Sequence, residues 1–498
     1  MMNGGEKSDS SIVSKNFSNK PIQMGAEKME RREEIKRNEE QRNTRQTQSW
    51  GSVQSQLQLI HHKAKVDKKM QFTALMHHIY EVEALKAAYY GIKRNAAPGI
   101  DNETWSSYGN SLESNLKDLS ERLKRGAYQA KPVKRVHIPK PDGRQRPLGL
   151  TVLEDKIAQR AAVEVMNAIY EADFLGFSYR FRPKRGTHGA LDALYGGIMT
   201  RKVNWILDAD IRDFFNTISH EWMIKFIEHR IKDKRLVRLI QKWLKAGVLE
   251  KGKITYDEAG TPQGSSASPL LANVYLHYVY DLWVQQWRRK QSRGEVIVVR
   301  YADDIIVGFQ YREDAERFLK ELKERLLKFQ LELHPEKTRL IEFGRYSTER
   351  RGKFQKGKTE TFTFLGFTHI SGKTRDGKYT IIRQTIKKRM RAKIKAIAIE
   401  LRKRMHNPVN EVGKWLKTVI EGHFRYFGVS GNCEAMGQFR FTIVKRWRFV
   451  LSRRSEKGYM TWAAMRPLID RWIPPPKIHH AHPLERLGVL TQDKSRVR

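Results

Sequence analysis

The segment Val296-Ile-Val-Val-Arg-Tyr-Ala-Asp-Asp-Ile-Ile-Val-Gly-Phe309 constrains the fold more than any other part of this chain. Two β-branched, apolar runs flank a short polar step, which is the pattern of a β-hairpin. The step carries two adjacent carboxylates, Asp303 and Asp304. Like charges that close repel and hold each other's protons on, unless a cation sits between them. Mg²⁺ suits the position, as a hard ion held by one or two carboxylates and by substrate phosphates. The segment therefore points to phosphoryl transfer.

A second acidic segment strengthens that expectation. In Trp205-Ile-Leu-Asp-Ala-Asp-Ile-Arg-Asp-Phe-Phe215, Asp208 and Asp210 end another apolar, strand-like run, and Phe214 and Phe215 follow. Two-metal chemistry needs carboxylates from separate elements to bracket ions roughly 3.5–4 Å apart. Asp210 with Asp303 and Asp304 would supply that set. Between the two segments lies Gly260-Thr-Pro-Gln-Gly-Ser-Ser-Ala-Ser-Pro-Leu-Leu-Ala-Asn-Val-Tyr-Leu276. Its first half reads as a loop, and from Pro269 it reads as a helix with proline near the first turn. Such a junction offers backbone N–H groups to an anion or a nucleic-acid backbone.

Elsewhere the pattern is mostly helical. Residues 1–50 are rich in Ser, Asn, Glu, Lys, Arg and Gln, and read as disordered or locally helical, with the charge-dense run Met29–Arg45 as a solvated helix. From Leu57 to Arg94, Leu75, Ile79, Val82, Leu85 and Tyr89 predict a core helix. Residues 314–329 place Ala315, Phe318, Leu319, Leu322, Leu326 and Phe329 on one helical face. Over 383–405, Ile386, Met390, Ile394, Ile397, Leu401 and Met405 recur every three or four residues. Lys387, Lys388, Arg391, Lys395, Arg402 and Lys403 occupy the other faces, suited to following a duplex backbone. Further on, Lys445-Arg-Trp-Arg448, Arg453-Arg454 and Lys457 interleave with Trp462 and Trp472. Arginine beside aromatic rings can join phosphate contacts to base stacking, while a core role for several Trp is the plainer alternative.

The balance of 95 Lys+Arg against 55 Asp+Glu, a formal charge of +40, suits a polyanionic partner and predicts steep salt dependence of binding. A chain of 498 residues exceeds what one core usually covers. The single cysteine, Cys433, excludes a disulfide scaffold and any cysteine-based zinc cluster. No apolar run reaches membrane-spanning length, and the N-terminus has no apolar signal segment, so no membrane partner is expected.

Taken in order, the three site segments resemble the reverse transcriptases encoded by bacterial group II introns. The resemblance covers roughly residues 70–480 and extends to Asn95-Ala-Ala-Pro-Gly-Ile-Asp101, Ile138-Pro-Lys-Pro-Asp-Gly-Arg-Gln-Arg-Pro-Leu-Gly149, Phe181-Arg-Pro-Lys-Arg185, Leu333-His-Pro-Glu-Lys-Thr338, Phe364-Leu-Gly-Phe367 and Gly422-His-Phe-Arg-Tyr-Phe427. It implies an α+β right-hand polymerase. In that reading, 1–55 is a charged N-terminal extension and 56–200 carries extension helices and fingers. The palm spans 201–370 with an antiparallel sheet and packed helices, the α-helical thumb or maturase domain 371–445, and a basic DNA-binding region 446–498.

The resemblance also implies roles. Asp210, Asp303 and Asp304, with the backbone carbonyl of Ile211, would hold two Mg²⁺ ions, with Mn²⁺ as a substitute. Lys140, Arg146 and, less directly, Arg135 would contact the incoming triphosphate. Gln263 would sit against nucleotide or template, and Phe215, with Phe214, would exclude a 2′-hydroxyl. Lys337 is the candidate general acid for pyrophosphate, while Asp208 and Asp213 are structural or solvated. Implied partners are a group II intron RNA, an RNA template with DNA primer, a DNA target site and dNTPs, in a cytoplasmic, nucleoid-associated setting.

Three departures stand against the family pattern. Arg180 lies where glycine is common and His423 where tryptophan is common, both expected away from the metal site. The chain ends about 18 residues after His480, so no HNH-type endonuclease and no second-strand cleavage are expected. His479, His480 and His482 read as surface histidines rather than metal ligands. Two other functions remain open: a splicing-only RNA-binding maturase cofactor, and a reverse transcriptase recruited by its host.

Overall fold

The computed structural model describes residues 51, 53–139, 145–250, 252–256, 259–261, 264–355, 357–454 and 458–486. The expected charged extension up to residue 50 lies outside the described residues.

In chain order the elements that build the site are β1 (Val133–Pro139), β2 (Gln145–Leu150), α1 (Leu153–Asp173), α2 (Thr187–Thr200), β3 (Trp205–Asp210), β4 (Val248–Glu250), β5 (Lys253–Thr255), α3 (Ser268–Leu276), β6 (Val296–Tyr301), β7 (Asp304–Phe309), α4 (Arg312–Leu327) and β8 (Arg339–Glu342). After them come β9 (Phe362–Phe364), β10 (Phe367–Lys373), β11 (Tyr379–Thr385), α5 (Lys387–Lys403), α6 (Val409–Phe427) and α7 (Cys433–Leu451). The strands form three sheets, ordered β2-β1-β4-β5, β6-β7-β3-β8 and β11-β10-β9.

The central sheet explains why its strands read as continuous apolar runs. Leu207, Ala209, Val298, Ile305, Val307 and Phe309 join one core with Ile157, Val165, Leu271 and Phe318 of α1, α3 and α4. On the opposite face Ile206, Ile297, Val299 and Ile306 join another core with Leu191 and Leu194 of α2 and with Phe362, Phe364 and Phe367. A strand buried on both faces has no reason to alternate. Polar residues enter that second face only at one end, as Asp208, Asp210 and Asp304, each half-buried. A third core joins α5, α6 and α7 through Ile397, Leu401, Leu416, Ile420, Met436, Phe439, Ile443 and Trp447.

Several expectations are corrected. The single helix from Leu57 to Arg94 is broken into residues 53–66, His77–Tyr80 and Val82–Tyr90, with Phe72 bridging Ile231 between them. The buried Asp233 helps cause the break, because its carboxylate accepts from the N–H groups of Leu75 (2.7 Å) and Met76 (3.0 Å) while capping the helix that starts at Lys234. Burial pushes this carboxyl up, but those bonds and the N–H groups of Arg235 and Leu236 outweigh it and hold it below the usual range. A depressed carboxyl contributes stability that is present above the unfolded value near 3.9 and lost as pH falls through the folded one. Asp233→Asn is therefore expected to cost about 2 kcal/mol at neutral pH, with the difference from wild type shrinking below about pH 4. Urea unfolding at two pH values measures this, and a cost that grew in acid would refute it.

The helical run assigned to 383–405 starts four residues later. Tyr379–Thr385 is a strand paired antiparallel with β10, and Ile386 precedes the helix. Sheet pairing wins because Arg383, nearly fully buried, meets Asp192 at 3.1 Å across the core. Residue 370 lies within β10, residue 445 within α7 and residue 55 within the helix of residues 53–66. Similarly, β4 and β5 complete a sheet begun by β1 and β2. Among the described residues no helix is long and apolar enough to cross a membrane.

Candidate active site

Strand register brings the carboxylates together. Asp210 lies directly opposite Asp304 in the β3–β7 ladder, and Asp304 lies opposite Tyr301 across the two-residue turn Ala302-Asp303. Opposed residues in such a ladder hold their Cβ atoms about 5 Å apart. The chain continues past β3 so that Ile211 bridges Leu333, with Arg212 N–H donating to Glu332 (2.8 Å) and His334 N–H to the Asp210 carbonyl (2.7 Å). In that pattern the Ile211 carbonyl faces away from Leu333.

Asp208, Asp210, Asp303 and Asp304 gather at this end of the sheet. Burial raises the Asp304 carboxyl to about 7, with the neighbouring Asp303, Asp210 and Asp208 adding to it and Lys337 opposing. Burial likewise lifts Asp208 to about 6, against the pull of Arg339 at 3.7 Å. Asp208 is half-buried, and Asp213 is exposed with a left-handed φ of 43°. Hard carboxylate oxygens and a backbone carbonyl are donors that suit a divalent cation such as Mg²⁺. Among the described residues no three His, Cys, Asp or Glu side chains converge on one point as they stand. The Lys337 ammonium is hydrogen-bonded to Asp210 Oδ2, and a cation at Asp210 would displace it.

The turn itself is held from behind by Arg300, which the sequence reading did not single out. Its guanidinium, with no exposure, donates to both Asp281 oxygens at 2.6 Å, to Ser178 Oγ at 2.7 Å, to Asn273 Oδ1 at 3.2 Å and to the Ala302 carbonyl at 3.3 Å. Ala302 has a φ of 60°, left-handed for a residue with a Cβ, and needs such restraint. Asp281 reaches Arg300 from a π-helical turn, His277–Asp281, that continues α3. A buried arginine within an apolar strand was the available signal, since it demands a carboxylate partner.

The other expected residues separate. Phe214 is core, whereas Phe215 is half-buried against it. Phe215 also stands beside the Gly260 loop, because Thr261 N–H donates to the Phe215 carbonyl at 2.7 Å. Lys140 and Gln263 lie outside the described residues. Arg146 occupies β2 opposite Ile138. Arg135 is paired with Glu250 at 3.2 Å and lines a cleft of about 640 Å³ with Val133, Pro147, Asn216, Gly260 and Thr261. The loop after this cleft is anchored by the buried Gln159, whose Oε1 accepts from Ser265 Oγ (2.9 Å) and Ser266 N–H (3.0 Å). Gly264 is required there: at φ 119° any Cβ would sit 2.5 Å from the Gly149 carbonyl.

Arg180 is nearer the site, and two of the C-terminal histidines are more buried, than the sequence implied. The Arg180 guanidinium lies over Tyr301, 5.2 Å from the ring centre, beside the Asp turn. His480 stacks on His188 at 3.5 Å and His482 bonds Tyr195 at 3.3 Å, so these two pack on α2 while His479 is exposed. Of the tryptophans near the basic C-terminal run, Trp447 and Trp472 are core, Trp462 is exposed under Arg448, and Lys457 lies outside the described residues.

Residues 138–369 match the family model of reverse transcriptase (RNA-dependent DNA polymerase). The chain is similar to Protein YkfC of Escherichia coli, 32% identical over 49% of this chain and 72% of that protein. It is also similar to the group II intron-encoded protein LtrA of Lactococcus lactis, at 36% identity over 45% of this chain and 37% of the relative. A putative COX1/OXI3 intron 1 protein of Saccharomyces cerevisiae is 33% identical over 43% of this chain and 26% of its own length.

Proposed function

The chain belongs to the group II intron-encoded reverse transcriptases, RNA-directed DNA polymerases, and from that membership we propose that it copies RNA into DNA at Asp210, Asp303 and Asp304. The observation that carries the reading is the register of Asp210 against Asp304 beside the Asp303 turn. Clustered carboxylates that raise one another's proton affinity do nothing for folding, and they suit a site built to receive cations.

Two Mg²⁺ ions held by these carboxylates and the Ile211 carbonyl would supply charge neutralisation for the attacking 3′-hydroxyl and the triphosphate. The protein's own contribution is positional. Arg300 fixes the turn, and Lys337, released from Asp210, would stand ready to protonate pyrophosphate. Phe215 would exclude the 2′-hydroxyl, and Lys140, Arg146, Arg135 and Gln263 would hold triphosphate and template.

In the same reading the three-helix core of α5–α7 forms the thumb of a right hand and joins the basic C-terminal region on nucleic acid. The protein would bind its intron RNA as a maturase to promote splicing and retrohoming into a DNA target, within the cytoplasm. A net charge of +40 supports such partners.

Primer extension tests the proposal, using the full chain, an RNA template, a DNA primer, dNTPs and Mg²⁺. Extension that EDTA abolishes is expected. Folded protein that binds RNA but extends nothing would remove the polymerase and leave a splicing-only maturase.

A further inference from the structure

The segment Ser178–Arg185 carries three arginines, and the fold makes use of only two of them. It runs beside the strand that leads into the Asp303 turn. Tyr179 N–H donates to the Arg300 carbonyl at 3.0 Å, and Arg300 N–H to the Phe177 carbonyl at 2.8 Å. Arg182 is buried, meets Glu171 at 2.9 Å and donates to the carbonyls of Leu175 and Ser178. Arg185 donates to the Gly176 carbonyl and lies over the Tyr179 ring. These two hold the segment in shape.

Arg180 does neither job. Among the described residues its guanidinium meets no carboxylate and no hydrogen-bond acceptor. Its neighbours are two rings, Phe181 at 4.6 Å and Tyr301 at 5.2 Å. Its main chain is nevertheless fixed, because Asn273 Nδ2 donates to the Arg180 carbonyl at 2.7 Å while Asn273 Oδ1 accepts from Arg300. The Arg300 network that restrains the Asp303 turn thus also sets where Arg180 begins. Tyr301 is held as well, its hydroxyl sharing a hydrogen bond with Thr187 at 2.9 Å. The side chain is only half-buried. A guanidinium kept in place without an acceptor for its N–H groups is arranged for an anion from outside.

Position identifies the anion. Tyr301 lies opposite Asp304 and two residues before Asp303. In the polymerase reading, on which this inference rests, the primer 3′-hydroxyl comes to these carboxylates. The backbone nearest Tyr301 is then the primer's, with the template across the base pair. A planar guanidinium suits phosphate and carries no sequence preference, as a strand of any sequence requires. Glycine, common at this position in the family pattern, has no side chain for such a contact.

We propose that Arg180 binds a phosphodiester of the primer strand next to its 3′ end, and so helps to set the reacting hydroxyl at the carboxylates.

The test uses the full chain and a labelled, dideoxy-terminated DNA primer on an RNA template, with Mg²⁺, and reads binding by fluorescence anisotropy. Neutral methylphosphonate linkages replace the phosphates nearest the primer 3′ end one at a time, and in a second series the paired template phosphates. The wild type is expected to lose about tenfold in affinity at one primer linkage. Arg180→Gln should show that loss on the unmodified primer and lose nothing more when the same linkage is neutral. Its slope of log affinity against log salt should fall by about one. Arg180→Lys, which keeps the charge, should recover part of the affinity.

A wild type indifferent to every primer linkage would overturn the proposal, and so would coupling confined to the template. Additive losses at all linkages would also overturn it, since that is the result if Arg180 only steadies Tyr301. Primer extension by the wild type on an unterminated primer judges the polymerase reading separately. Coupling at one primer linkage without extension would sink that reading and uphold the Arg180 contact.

Discussion

Asp303→Ala is expected to lower dNTP incorporation on an RNA template by about 10³-fold while leaving the protein folded. Asp303 sits in the two-residue turn beside Asp304, which faces Asp210 across the ladder. In the proposed function it supplies one donor of the set, and its removal takes away no apolar packing. It also removes one of the charges that raise the Asp304 carboxyl, so thermal stability in the absence of metal should not fall. Single-nucleotide incorporation rates and circular-dichroism melts on the same preparations decide the matter. A rate near wild type would place the chemistry elsewhere. A collapsed melting curve would make Asp303 a folding residue instead.

Arg300→Leu is expected to cost about 3–5 kcal/mol, because it leaves Asp281 charged and buried without its partner. Both side chains have no solvent exposure and meet in a two-point contact. The double variant Arg300→Leu with Asp281→Leu should regain most of that stability, since a buried pair exchanged for apolar groups is often neutral. Activity should stay low in the double variant. Without Arg300 the Ala302 carbonyl loses its donor, and the left-handed turn that presents Asp303 loses its restraint. Urea midpoints and incorporation rates separate the two effects. An Arg300→Leu protein as stable as wild type would refute this account, and so would full activity in the double variant.

Much of the site was legible before any coordinates. The Val296–Phe309 hairpin, the β3 strand end and the helix starting beside Pro269 lie where periodicity and turn chemistry place them. The helix of residues 314–329 and the apolar face of α5 are also as expected, with the bounds shifted by a few residues. Two readings failed for a common reason. Residues 57–94 carried helical spacing but were divided by the capture of Leu75 and Met76 N–H groups by Asp233, from far along the chain. Residues 379–385 were drawn into a sheet by β10 and by the buried Arg383–Asp192 pair. Tertiary hydrogen bonds and charge pairs outweigh local propensities of a few tenths of a kcal/mol.

The sequence by itself determined the local elements and the identity of the metal-binding candidates, because hydrophobic period, proline placement and adjacent carboxylates act within a few residues. The tertiary structure decided which groups meet. Lys337 reaches Asp210 across 127 positions, Gln159 anchors Ser265 across 106, and Arg300 finds Asp281 across 19. It also stacked the buried His423 on Phe439 of the neighbouring helix. No local pattern encodes these meetings, since they depend on how three sheets and their helices pack, and packing is a property of the whole chain.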